Sequence, residues 1–148
     1  MTNRYVVADT YPNGQVRQNI TKAEIGLGYA VSMALHNKWE NVVIVVPRIG
    51  SFDTSDLGMT IDNLKIPNLT ASRLRRHESV KIGGTNISVV SSTSIDSIRG
   101  VDVIIAYTST PEDLARIDAL YNVNNIVYIP WLANEEQEWK NKWNPNVI

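Results

Sequence analysis

The polar side chains best placed to do chemistry are Asp9, Asn13, Arg17, Arg48, Ser109 and Thr110, spread along most of a 148-residue chain. Each type suits part of one task. An aspartate takes hydroxyl or amine protons, arginines neutralise phosphate or carboxylate, and hydroxyls beside the free amides of a helix start hold anionic oxygens. Together they would suit a nucleotide-like small ligand. Each also has a plainer role: Asp9 can end a strand, Asn13-Gly14 can make a turn, and Thr110 can cap the helix that Pro111 opens.

No stronger catalytic pattern competes with this reading. The chain has no cysteine, which removes disulfides, thiolate nucleophiles and cysteine metal sites. Its two histidines, His36 and His77, sit in no spacing that suggests a metal set or a catalytic triad. There is no Walker loop, Gly50-Ser51-Phe52-Asp53 lacks the second glycine of a nucleophile elbow, and Gly26-Leu27-Gly28 falls inside a helix rather than at a strand-to-helix turn. Asp9 is therefore the one weak catalytic candidate. Whether the chain is an enzyme stays open at this stage, and no cofactor is indicated.

Elements that would bring these residues together can be read from four continuous apolar runs, Tyr5 to Ala8, Val42 to Val46, Val101 to Ala106 and Ile126 to Ile129. Continuous rather than alternating runs imply strands covered on both faces. The helices between them complete β-α-β units. The first is expected to open at Thr21, with Thr21-Lys22-Ala23-Glu24 as a capping box, and to run to Asn37. Its circumference is almost wholly apolar or small, so intrachain coverage competes with a homodimer interface through this helix, and Gly26 and Gly28 imply close approach of a neighbour. A second helix follows Thr110-Pro111, with Leu114, Ile117 and Tyr121 on one face and Glu112 and Arg116 paired on the other. A third is expected to be capped by Asn134 with Gln137 reaching back, to bury Trp139 and Trp143, and to pair Glu136 with Lys140 and Glu138 with Lys142 in solvent.

The middle of the chain is less regular. A short helical turn is expected near Ile61 to Lys65 and another helix from Leu69 to His77, the latter carrying Arg73, Arg75 and Arg76 outward. Val80-Lys81-Ile82 and Ile87-Ser88-Val89 flank Gly83-Gly84-Thr85-Asn86 as a β-hairpin would; the alternative places only residues 87–91 in the sheet.

The whole predicts one α/β domain over residues 1–148: a Rossmann-like or flavodoxin-like three-layer sandwich whose mostly parallel sheet has about five strands and an antiparallel hairpin near residues 80–90. In such folds ligands bind beyond the carboxyl ends of the strands. Four polar loops should meet there, following the four apolar runs. With 43% hydrophobic residues and a formal net charge of -1, the composition supports a packed core and gives no overall attraction to nucleic acid or anionic membrane. No apolar run reaches membrane-spanning length, so a cytoplasmic protein is expected. The alternative function is a non-enzymatic interaction module, an inhibitor or subunit, working through the first helix or the arginine patch.

Overall fold

In the computed structural model, which describes residues 2–148, the chain runs β1 (Asn3–Val6), α1 (Asn19–His36), β2 (Asn41–Val46), α2 (Asp56–Asn63), α3 (Ala71–Arg75), β3 (Val80–Ile82), β4 (Thr85–Ser91), β5 (Val103–Tyr107), α4 (Pro111–Asp118), β6 (Asn125–Ile129), α5 (Ala133–Trp143) and β7 (Asn146–Val147). Tight 3-10 turns occupy Ile49–Thr54 and Ser92–Ser97. One sheet holds all seven strands in the order β3-β4-β2-β5-β6-β1-β7, and every neighbouring pair is parallel except β3 with β4.

The continuous apolar runs become the central strands, because a strand with helices on both faces buries successive side chains in opposite directions. Val42, Ile44 and Val46 of β2 enter one core with Ala23, Leu27 and Ala30 of α1 and Leu57 and Ile61 of α2. Val43 and Val45 enter the other, which Leu114 and Ile117 of α4 and Trp139 of α5 close. This is the three-layer sandwich expected from the sequence. The hairpin also forms, Val80 opposite Ile87 and Ile82 opposite Thr85 around Gly83 and Gly84, both at positive φ. β4 then pairs in parallel with the whole of β2.

The sheet is wider than the five strands expected. Its added edge is β7, where Asn146 and Val147 align with Tyr5 and Val6. Arg17 helps to fix it, donating through Nη1 to the carbonyl oxygens of Ala8 and Ile148, each at 3.1 Å.

Several local expectations change. α1 begins at Asn19, so Thr21 is not its cap, and the residue that does precede it, Gln18, makes no side-chain cap bond. The cause lies just upstream: the loop after β1 folds back on itself, Thr10 bridging Val16 and the Arg17 amide donating to the Asp9 carbonyl at 2.8 Å, which leaves one residue before the helix. α5 is capped by Leu132 rather than Asn134, and Glu135 rather than Gln137 reaches back to accept the Leu132 amide at 3.0 Å. Arg116 does not pair with Glu112. It turns to Asp96, with two bonds at 3.3 and 3.2 Å, and to Asp113, because a guanidinium fork is better matched by a bidentate carboxylate. Glu138 and Lys142 form no ion pair among the described residues, and Tyr121 lies beyond the end of α4, exposed.

The glycines of α1 separate cleanly. A Cβ at Gly26 would stand 2.5 Å from two side-chain carbons of Ile129, so the helix approaches β6 there as only glycine allows. Gly28 has nothing within 4 Å, and the close approach expected of it is not found.

Candidate functional site

A parallel sheet opens a crevice where two neighbouring strands send their following chains to opposite faces. Two of the neighbouring pairs that do so carry the polar loops. β2 and β5 are neighbours, and β2 leads to α2 on the first face while β5 leads to α4 on the second. β1 and β6 are neighbours too, leading to α1 on the first face and α5 on the second. All four polar loops expected to converge therefore leave the same edge of the sheet, but they divide between two openings.

The opening between β1 and β6 is filled by the protein itself. Lys22, on the first turns of α1, is buried, and its Nζ donates to Asp9 Oδ1 at 3.0 Å and to the Trp131 carbonyl at 3.1 Å. Glu136 of α5, also buried, accepts the Asp9 amide through Oε1 at 2.7 Å, and its other oxygen receives Lys140 at 3.4 Å. A buried ammonium needs such partners, because an unpaired one would cost several kcal/mol of desolvation. Asp9 is thus committed to Lys22, and Arg17 to the two carbonyls that hold β7. Asn13 lies on an exposed turn, where its side-chain oxygen accepts the Gln15 amide at 3.0 Å beside Gly14 at positive φ.

The opening between β2 and β5 is not closed by side chains. It forms a cleft of about 390 Å³ whose first wall is Pro47 and Arg48 after β2, with Ser51 and Thr54 of the 3-10 turn. Tyr107 and Thr108 at the end of β5 make its floor, and Trp131 after β6 its far side. Ser55 caps α2, accepting the Gly58 amide at 3.1 Å, and so sets Asp56 at the cleft's edge. A narrow recess of about 10 Å³ continues from Asp56, Tyr107, Thr108 and Trp131 down to Lys22. It has room for about one water molecule.

Four features of the cleft stand out chemically. Neither the Arg48 guanidinium nor the Asp56 carboxylate forms an ion pair among the described residues, so both charges are free to meet a ligand. Trp131 is 57% exposed, an indole held at a strand end rather than in a core. Thr108 has φ 49°, a left-handed conformation that a β-branched residue adopts at a cost of about 1–3 kcal/mol. Its amide is held by the Ile129 carbonyl at 2.9 Å, which keeps the chain end in place. The Tyr107 hydroxyl is held above the ordinary phenol range by burial first and by the Asp56 carboxylate second, against an opposing hydrogen bond from the Leu57 amide.

Of the six residues singled out in the sequence, the structure brings only Arg48 into this cleft. Ser109 is buried just behind the floor, where its carbonyl accepts the Tyr128 hydroxyl at 3.3 Å. Thr110 caps α4 by accepting the Asp113 amide at 3.2 Å, the role its neighbour Pro111 suggested. Asp56, Trp131 and the closing role of Lys22 were missed. The last left a signal: a lysine one turn before Gly26, on the helix face that packs against the sheet, must find an acceptor there.

Among the described residues no three carboxylate or imidazole groups gather as a metal site. No protein-family model matches the sequence, and no curated protein matches it significantly. What fold and site define is an α/β sandwich with one sealed and one open crevice at the carboxyl edge of its sheet.

Proposed function

We propose that the chain binds a small nucleotide-like ligand in the cleft between β2 and β5. The observation that carries this reading is the combination of an unpaired arginine, an unpaired aspartate and an exposed tryptophan around an open crevice. Arg48 and Trp131 follow strands two positions apart in the sheet, about 10 Å at the usual strand spacing. That span suits a phosphate at one end and an aromatic base at the other. Arg48 would pair with the phosphate, Asp56 would accept ribose hydroxyls or exocyclic amines, and the base would stack on Trp131.

A thermal-shift panel of nucleosides, nucleoside monophosphates and diphosphates tests the reading. A ligand at 100 times its dissociation constant stabilises the native state by about 2.7 kcal/mol, which moves the midpoint by several degrees. The expected result is stabilisation by a monophosphate or diphosphate, weakened in Arg48→Ala and in Trp131→Ala. No shift with any member of the panel counts against the proposal.

A further inference from the structure

On the opposite face of the sheet from α1, a groove of about 150 Å³ runs between α4 and α5. Its floor is apolar: Leu114 and Ala115 of α4, Tyr128 of β6 and Trp139 of α5, the two rings meeting edge-on with centroids 5.3 Å apart. Its α5 wall carries Glu135 and Glu138. Glu138 has no hydrogen-bond or ion-pair partner among the described residues, and Glu135 spends one oxygen on the Leu132 amide. Their combined field reaches the floor, where it adds to burial in holding the Tyr128 hydroxyl protonated well above the ordinary phenol range.

At its other end the groove meets Asp118, and this carboxylate is already saturated. It accepts Arg4 Nε at 3.0 Å on one oxygen, and the indole N–H groups of Trp139 and Trp143 at 3.1 and 2.9 Å on the other. The groove therefore offers one free negative locus above an apolar trough. Lys142 also borders it, yet its ammonium lies 5.4 Å from the Trp143 ring centroid instead of pairing with Glu138.

We propose that this groove docks a lysine side chain presented by a partner polypeptide, its methylene stem along Leu114 and Trp139 and its ammonium beside Glu135 and Glu138. A single cationic head on an apolar stem matches one free carboxylate locus; a diamine would need a second at the Asp118 end, where none is free. A polypeptide rather than a free amine fits the surroundings. Exposed Leu132 stands before α5, exposed Tyr121 lies beyond the end of α4, and Trp143, the last residue of α5, is partly exposed, so apolar surface extends past both ends of the groove.

The test is an NMR titration of the full chain with N-acetyl-lysine methylamide, its norleucine counterpart and cadaverine. The expected result is a saturable shift of the Trp139 indole N–H and the Ala115 amide with the lysine compound, at millimolar affinity. The norleucine compound should bind about tenfold more weakly, a difference of about 1.4 kcal/mol. Glu138→Gln, and Glu135→Gln, which keeps an acceptor for the Leu132 amide, should each weaken the lysine compound severalfold without moving the thermal midpoint. Equal response to norleucine, no saturable shift, or indifference to both substitutions overturns the proposal. Tighter binding of cadaverine than of the lysine compound also overturns it, in favour of a free diamine.

Discussion

Lys22 and Asp9 form an ion pair, Nζ to Oδ1 at 3.0 Å, inside the crevice between β1 and β6. The side chain of Lys22 is only 2% exposed. The same ammonium holds the Trp131 carbonyl, so the pair that seals one crevice also fixes the residue that borders the other.

Removing one partner of such a pair leaves the other without compensation. Lys22→Met is expected to destabilise the chain by about 3–5 kcal/mol, seen as a lower urea midpoint at unchanged m value. Combining it with Asp9→Leu should recover most of that loss, since a well-packed apolar pair removes both buried charges. A double substitution as unstable as the sum of the singles would contradict this account of the pair.

Gly26 and Gly28 make a paired test of close packing. Gly26→Ala pushes a methyl group into Ile129 and should cost about 1–3 kcal/mol by overpacking. Gly28→Ala meets open space in a helix interior and should stabilise by about 0.5–1 kcal/mol. Thermal midpoints moving in opposite directions would bear this out.

Tyr128 and Tyr107 predict an alkaline limit. Both hydroxyls are held above their ordinary value of 10.0, Tyr128 by burial and then by Glu135 and Glu138, Tyr107 by burial and then by Asp56. Below that pH both the folded and unfolded chains keep the protons, and the native state has its full stability. As the pH rises past it, the unfolded chain loses protons that the folded chain retains, so stability falls by up to about 1.4 kcal/mol per pH unit for each residue. Tyr128→Phe should flatten the decline measured by urea unfolding from pH 9 to 11. An unchanged slope would show that Tyr128 is not held protonated.

Much of the fold was legible because its strongest signals are local. Val42 to Val46 and Val103 to Tyr107 are too uniformly apolar for anything but central strands, Gly83-Gly84 marks a hairpin, and Thr110-Pro111 starts a helix wherever the chain lies. The caps of α1 and α5 were misread because contacts outside the helices decide them: the Arg17 amide bond to Asp9 fixes the chain just before one, and the distant Lys22 holds the Trp131 carbonyl before the other. β7, two residues long, has no pattern to detect. The site was less legible for the same reason. That strand ends gather polar loops follows from topology, but which crevice is open depends on Lys22 crossing to Asp9. That pairing withdrew Asp9 from the candidate site, and the carbonyls beside β7 withdrew Arg17, leaving Arg48 to be joined by Asp56 and Trp131.

If the proposed nucleotide site is right, Arg48 and Trp131 should separate by ligand chemistry. Trp131→Ala removes stacking worth about 1–3 kcal/mol and should weaken nucleosides and nucleotides alike. Arg48→Ala should cost about 1.5–3 kcal/mol for a phosphorylated ligand and leave the parent nucleoside nearly unchanged. Calorimetric titration of each variant reads the difference, and a loss of nucleoside binding equal to that of the nucleotide in Arg48→Ala would contradict the assignment.

The central claim is tested most directly by an NMR titration of the full chain with adenosine and guanosine monophosphates. Ligand binding between β2 and β5 predicts saturable shifts at the Trp131 indole N–H and at the amides of Arg48, Asp56 and Thr108, with the Lys22 and Asp9 signals little moved. Shifts centred elsewhere on the molecule, or none that saturate with either nucleotide, would contradict it.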